Sequence, residues 1–266
     1  MNIKLFSLRH FAIYTIAVQT LFTPAITVFA IQNACAVQST ATVTPVIELY
    51  TSEGCSSCPP ADKWLSTLRA SNAEQQPQAV IQAFHVGYWD YIGWVDRFAT
   101  PAHTNRQKQI SAWNKQNGIY TPQMVLNGKD WRGWGSVGLF STAASASKEL
   151  ASSSINLKQI GVDHFEATVS PVAGQTATAA WSAYWTVTEH GHSSRVKAGE
   201  NKGETLLHDY VVRQYTPVGD YAADAPQKLS LRSVAGTPGH ARQVNLVVFD
   251  PKTGKTRQAV SANCPS

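Results

Sequence analysis

The 266-residue chain has no run of lysine or arginine; its bases stand singly and its formal net charge is only +5. A dedicated nucleic-acid face needs clustered bases, so that class of partner is set aside. Cysteine is scarce, with four in the whole chain, and only one Cys-x-x-Cys occurs. A zinc ribbon needs a second such pair and is excluded. The glycine-flanked segment Gly199-Glu200-Asn201-Lys202-Gly203 lacks the Gly-Lys-Ser/Thr ending of a phosphate loop and reads as a turn. There is no internal repeat, and low complexity is confined to an Ala/Ser-rich stretch near 136–152.

What the sequence does contain begins with a leader. Lys4 and Arg9 precede an uncharged stretch from Phe11 to Ala34, and Val28-Phe29-Ala30 and Ala34-Cys35-Ala36 both offer small-residue cleavage sites. A basic start, an apolar middle and a small-residue exit describe a secretory signal peptide over residues 1–36. The rival is an uncleaved membrane anchor, which Gln19, Pro24 and the threonines disfavour. The expectation is a periplasmic or secreted protein with no membrane attachment after cleavage, in a compartment where disulfides persist. Cleavage after Ala36 removes Cys35; cleavage after Ala30 keeps it free to bridge to Cys264.

Two compositional regions follow, 43–152 and 155–266. In the first, Val46–Tyr50, Ala79–Val86 and Gln123–Leu126 read as strands, and 61–70 and 101–116 as helices. Asn127-Gly128 signals a hairpin, and Ser136–Ser152 reads as a helix ending in a serine linker at 152–154. In the second, β-branched apolar runs at 162–169, 176–188, 206–215, 227–231 and 243–249 alternate with turn residues and read as a β-sandwich.

The chemistry is concentrated in Gly54-Cys55-Ser56-Ser57-Cys58-Pro59-Pro60, placed directly after the first strand. Two thiols at this spacing can close a small disulfide, exchange an electron pair with a substrate, or clamp a soft metal. A strand, this motif, a helix, and then Thr121-Pro122 before another strand resemble the layout of a thioredoxin-like fold. By that resemblance Pro122 is cis and faces the sulfurs, Cys55 attacks a substrate disulfide and Cys58 resolves it. Two departures bear on activation. Gly54 stands where an aromatic residue is usual, and Pro59-Pro60 pushes the helix start to about 59, leaving both sulfurs just outside its end.

The match sharpens over Leu49–Asp62, His85-Val86-Gly87-Tyr88-Trp89-Asp90, Gly93-Trp94, Thr121-Pro122-Gln123, Gly199–Gly203, Leu207-His208 and Val211-Val212-Arg213. On these segments the chain resembles the secreted family called domain of unknown function 1223, with Gly87 departing where an acidic residue is expected. The resemblance implies an α/β thioredoxin-like domain at 43–152 followed by an all-β, sandwich-like C-terminal domain at 155–266. The function expected is thiol–disulfide exchange through Cys55 and Cys58 with Pro122 beside them. The substrate is a protein or small-molecule disulfide or thiol, a separate redox partner recycles the pair, and no cofactor is implied. The alternatives are copper or zinc binding or delivery by the same cysteines, or a binding module with a structural disulfide. His85, ending its strand, reads as a hydrogen-bonded histidine in preference to a third metal ligand or a base near Cys55. Tyr88–Trp94 reads equally as a groove wall or as core. His190-Gly191-His192 reads as a turn in preference to a metal half-site.

Overall fold

The computed structural model describes residues 35–69, 79–135, 149–174 and 180–263. The leader up to residue 34, residues 136–148 of the stretch expected to be an Ala/Ser helix, and Cys264 lie outside them. Cys35 is disulfide-bonded.

The first half contributes β1 (Ala36–Gln38), β2 (Val46–Thr51), α1 (Pro59–Thr67), β3 (Val80–His85), α2 (Pro101–Trp113), β4 (Gln123–Leu126) and β5 (Lys129–Asp130). The second half contributes β6 (Ser153–Gly161), β7 (His164–Pro171), β8 (Trp181–Glu189), β9 (His192–Arg195), β10 (Thr205–His208), β11 (Val211–Tyr221), β12 (Gln227–Arg232), β13 (Arg242–Phe249) and β14 (Thr256–Ala262). Among the described residues no helix is long and apolar enough to cross a membrane.

The local readings at β2, α1, β3, α2 and β4 hold to within a few residues. Asn127 and Gly128 both take positive φ in the two-residue turn joining β4 to β5, as an Asn-Gly hairpin requires. A Cβ on Gly128 would stand 2.1 Å from the Gly254 carbonyl oxygen, so the turn docks against the second half at a point where only glycine fits. The serines at 153 and 154 are no linker; they open β6 and pair with Pro171 and Ser170 of β7.

The fold class is corrected. In place of an α/β thioredoxin-like domain followed by a separate all-β sandwich-like domain, the described residues form a mostly β structure with two α-helices. Eight strands from both halves share one mixed sheet in the order β14-β13-β8-β11-β3-β2-β4-β5. Segments 43–152 and 155–266 thus both supply strands to it. The seam is the parallel contact of β11 with β3, where Val211 pairs Ala83 and the Ala83 N–H donates to the Tyr210 carbonyl at 2.8 Å. Every residue of β2 and β3 is buried, so β3 is an interior strand and not an edge. A second sheet, β1-β6-β7-β12, closes a sandwich over the far end. There Phe165, Leu229, Trp181, Trp185, Leu246 and Val260 share one apolar core.

Strand alternation sorts the two faces near β2. Val46 and Tyr50 face a core shared with Ile110 of α2 and with Tyr184 and Phe249 of the second half. Ile47 and Leu49 face Ala61 and Leu65 of α1. Between Val46 and Tyr50 sits Glu48, 2 % exposed, on the α2 side. Arg106 of α2, 3 % exposed, donates to it at 2.8 Å. Tyr50 and Tyr184 also donate to this carboxylate, Tyr184 at 2.8 Å. The chain of bonds continues from Gln82 on β3 to Tyr184, from Thr186 on β8 to Gln82, and from Asn245 on β13 to Thr186. This polar ladder crosses the seam between the halves.

Burial alone pushes the Glu48 carboxyl up, but the Arg106 guanidinium and the tyrosine hydroxyls outweigh it and hold the group below its ordinary 4.5. A carboxylate depressed in the folded state stabilises the fold above its unfolded value and loses that contribution as pH falls. Unfolding free energy is therefore expected to drop as pH falls below about 4.5, and to drop less steeply in Glu48→Gln. Arg106→Met, which strands a buried carboxylate, is expected to cost about 3–5 kcal/mol, with part recovered in the Glu48→Gln/Arg106→Met pair. Urea denaturation across pH checks both; a single-variant loss under about 1 kcal/mol contradicts the assigned role.

Candidate functional site

The parallel pair β2 and β3 ends at Thr51 and His85, which stand side by side in register. The Cys segment leaves the sheet at this end. Cys55 and Cys58 form a disulfide, and both residues are 0 % exposed, whereas Ser56 and Ser57 between them are exposed. The Cys55 sulfur lies 3.2 Å from the Ser57 hydroxyl.

Cys58 is the N-cap of α1, with Pro59 and Pro60 in the first two helical positions, as the sequence expects. Prolines carry no N–H, and the next two donors, Ala61 and Asp62, both bond the Cys58 carbonyl at 2.9 and 3.2 Å. The first-turn N–H groups are thus committed to a carbonyl. What reaches the sulfurs from the helix end is its dipole.

The segment is clamped from the second half. Between β9 and β10, Gly199–Gly203 forms a turn that lies over the Cys residues. Asn201, 6 % exposed, donates through Nδ2 to the carbonyls of Glu53 and Cys55 at 2.8 and 3.1 Å. The Ser56 N–H donates to Glu200 Oε2 at 3.0 Å. On the other side a Cβ at Gly54 would stand 2.9 Å from the Trp89 Cβ. Trp89 fills the place a residue-54 side chain would take, and its Nε1 donates to Thr121 at 2.7 Å. The Thr121–Pro122 bond is cis, and Trp89 is what links that loop to the Cys segment. Within the aromatic stretch, Tyr91 is 82 % exposed while Trp94 donates to the buried Glu53 at 2.7 Å.

Next to the disulfide segment is a buried titratable cluster that the sequence reading did not assemble. Thr51 donates to Asp62 Oδ2 at 2.7 Å. His85 Nδ1 faces Asp96 Oδ2 at 2.7 Å, and the Glu53 N–H donates to the same oxygen at 2.9 Å. His208, the last residue of β10, places Nε2 at 3.3 Å from Glu53 Oε1 and Nδ1 at 3.8 Å from Asp62 Oδ1. Its ring meets His85 edge to face at 4.9 Å, and Phe98 packs against both. Burial pushes the His208 imidazole down, but the Asp62 and Glu53 carboxylates outweigh it and raise the group to about 9. For Asp96, burial is outweighed by the facing His85 ring and the N–H groups of Glu53 and Phe98, which hold it below its ordinary value. Asp62, His85 and His208 each offer a ligand atom within 4.8 Å of the others. A groove of about 560 Å³ between α1 and β10, lined by Pro59, Asp62, Lys63, Leu206 and His208, opens beside them.

Asp96 carried no sequence signal beyond being an acid in a largely apolar and aromatic stretch, and Glu53 lay inside the Leu49–Asp62 segment singled out by resemblance, without a role. Asp62 and His208 lay inside segments singled out by resemblance, without a role. His190 and His192 flank Gly191, whose φ is +73°. The two are engaged separately, His192 with Glu189 at 2.9 Å and His190 with Asp209 at 3.4 Å.

No functionally curated protein matches the sequence. Among solved structures, a crystal structure of an Agrobacterium tumefaciens protein from a structural genomics consortium is 25 % identical. It covers 84 % of this chain and 96 % of its own, with a TM-score of 0.61. HBP35 of Porphyromonas gingivalis shares the fold at 13 % identity, covering 85 % of this chain and 76 % of its own, with a TM-score of 0.60. The sequence matches the family described as "Protein of unknown function (DUF1223)" over residues 46–249, more than half of its length, and the chain belongs to that family.

Proposed function

We propose that this is an exported thiol–disulfide exchange protein acting through Cys55 and Cys58. The reading rests on one observation above the others: the two cysteines are bonded to each other at the end of a buried strand, with Cys58 capping a helix. In the reduced form, the Cys55 thiolate attacks a substrate disulfide, forming a mixed disulfide and releasing one substrate thiolate. Cys58 then attacks the Cys55 sulfur, restoring the Cys55–Cys58 bond and releasing the second substrate thiolate. Two electrons pass to the substrate, and an external dithiol reductant returns the pair to its reduced form. The substrate class is a protein or small-molecule disulfide. Because both sulfurs are covered, exchange requires the exposed Ser56–Ser57 segment to leave Glu200 and the Cys55 carbonyl to leave Asn201.

A second reading, an inert structural disulfide in a binding module, is favoured by the 0 % exposure of both cysteines. Metal delivery by the same two sulfurs gains no support while they are bonded to each other, since the thiolate is the ligand form.

Reduction of insulin or oxidised glutathione, with dithiothreitol as reductant, separates the two readings. The wild-type chain is expected to turn over, Cys55→Ser to fall to the uncatalysed background, and Cys58→Ser to accumulate a mixed disulfide on Cys55. A wild-type protein without turnover, whose disulfide is reduced only once the chain unfolds, establishes the structural reading instead.

A further inference from the structure

We infer that Asp62, His85 and His208 form a binding site for a divalent cation of zinc type, separate from the two cysteines. The inference does not rest on the exchange reading.

The donor set comes from three elements that meet at the sheet end: Asp62 from α1, His85 from β3 and His208 from β10. All three residues are buried, and their ligand atoms lie within 4.8 Å of one another. Tetrahedral coordination at about 2.0–2.2 Å places ligand atoms about 3.3 Å apart, so small side-chain rotations close the set. His85 carries the clearest mark. Its Nδ1 faces the buried Asp96 carboxylate at 2.7 Å, while its Nε2, in a residue 0 % exposed, has no hydrogen-bond partner. A carboxylate behind one imidazole nitrogen fixes the tautomer and aims the other nitrogen's lone pair, as the outer shell of a zinc site does. His208 is met by a carboxylate at each ring nitrogen, Nε2 3.3 Å from Glu53 Oε1 and Nδ1 3.8 Å from Asp62 Oδ1, at neither with good hydrogen-bond geometry. A buried imidazole nitrogen without a partner is costly, and His85 Nε2 beside the carboxylate-flanked His208 ring marks a place for an ion, whose binding displaces the proton that Glu53 and Asp62 favour on His208.

Charge points the same way. Glu53, Asp62 and Asp96, at 1, 8 and 2 % exposed, surround two imidazoles, so the pocket holds an excess of acidic groups. A divalent cation on two imidazoles and one carboxylate offsets that excess and leaves a fourth position open, with Glu53 beside it. Phe98 packs 5.1 Å from the His85 ring and 5.9 Å from that of His208, giving the site an apolar wall. The groove between α1 and β10, about 560 Å³, reaches Asp62 and His208 from solvent and supplies the access path.

The test uses the full chain with the Cys55–Cys58 bond oxidised. Competition against a chromophoric chelator is expected to show one equivalent of Zn²⁺ per chain. Binding should weaken at least about a hundredfold in His85→Gln and in His208→Gln, about 10–100-fold in Asp96→Asn, and stay unchanged in the Cys55→Ser/Cys58→Ser pair. The Co²⁺ form of the wild-type chain is expected to give tetrahedral visible bands, and to show no thiolate charge-transfer band even after the Cys55–Cys58 bond is reduced, a readout that needs no variant to fold. Absence of stoichiometric binding by the folded wild type overturns the inference. So does a thiolate band, or binding lost in the cysteine pair and kept in His85→Gln.

Discussion

The buried ion pair of Glu48 and Arg106 is the constraint on which the rest of the structure depends. A carboxylate in the middle of a fully buried strand is tolerable only if a cation and enough donors meet it. Here the cation comes from α2, and the hydroxyls come from Tyr50 on the same strand and Tyr184 on a strand more than a hundred residues away. The carboxylate thus binds the second half of the chain to the first. The ladder through Gln82, Thr186 and Asn245 extends that tie across four strands. Because polar groups left unpaired in such an interior cost more than apolar mismatches, the ladder also fixes the register in which the halves meet.

That register positions the site. With β11 seated against β3, the β9–β10 hairpin extends over the C-terminal end of β2, where the Cys segment emerges. Asn201 then grips the carbonyls of Glu53 and Cys55, and His208 enters between Glu53 and Asp62. Two chemistries are held there side by side. One is a disulfide with little direct help from helix N–H groups; the other is a pocket of carboxylates and imidazoles. Each is completed by residues from both halves, so neither belongs to a separable domain.

The sequence made the local pieces legible. Apolar runs marked β2, β3 and β4, Asn127-Gly128 marked its turn, Pro59-Pro60 marked the start of α1, and the motif itself located Cys55 and Cys58. The architecture was not legible, because periodicity reports what faces a strand presents and not which strand lies next to it. β11 and β3 read as members of different domains until their pairing was visible. One residue did carry a signal: Glu48, a charge inside an otherwise apolar strand, requires a buried partner, and Arg106 on a largely polar helix is that partner. The cluster around His208 was hidden because its members are far apart in sequence and none repeats a ligand spacing. Gly54 was visible as a departure, but its reason, the Trp89 side chain packed 2.9 Å from where a Cβ would stand, is purely three-dimensional.

The central claim is that Cys55 and Cys58 are an exchanging couple held, not locked, by this scaffold. The most direct measurement is the reduction potential of the pair, obtained by equilibrating the folded protein with dithiothreitol buffers and quantifying the two forms by thiol alkylation. The account gives a potential less negative than about −300 mV, within the range of couples that exchange with cellular thiols. A value below about −300 mV marks a structural bridge and contradicts it.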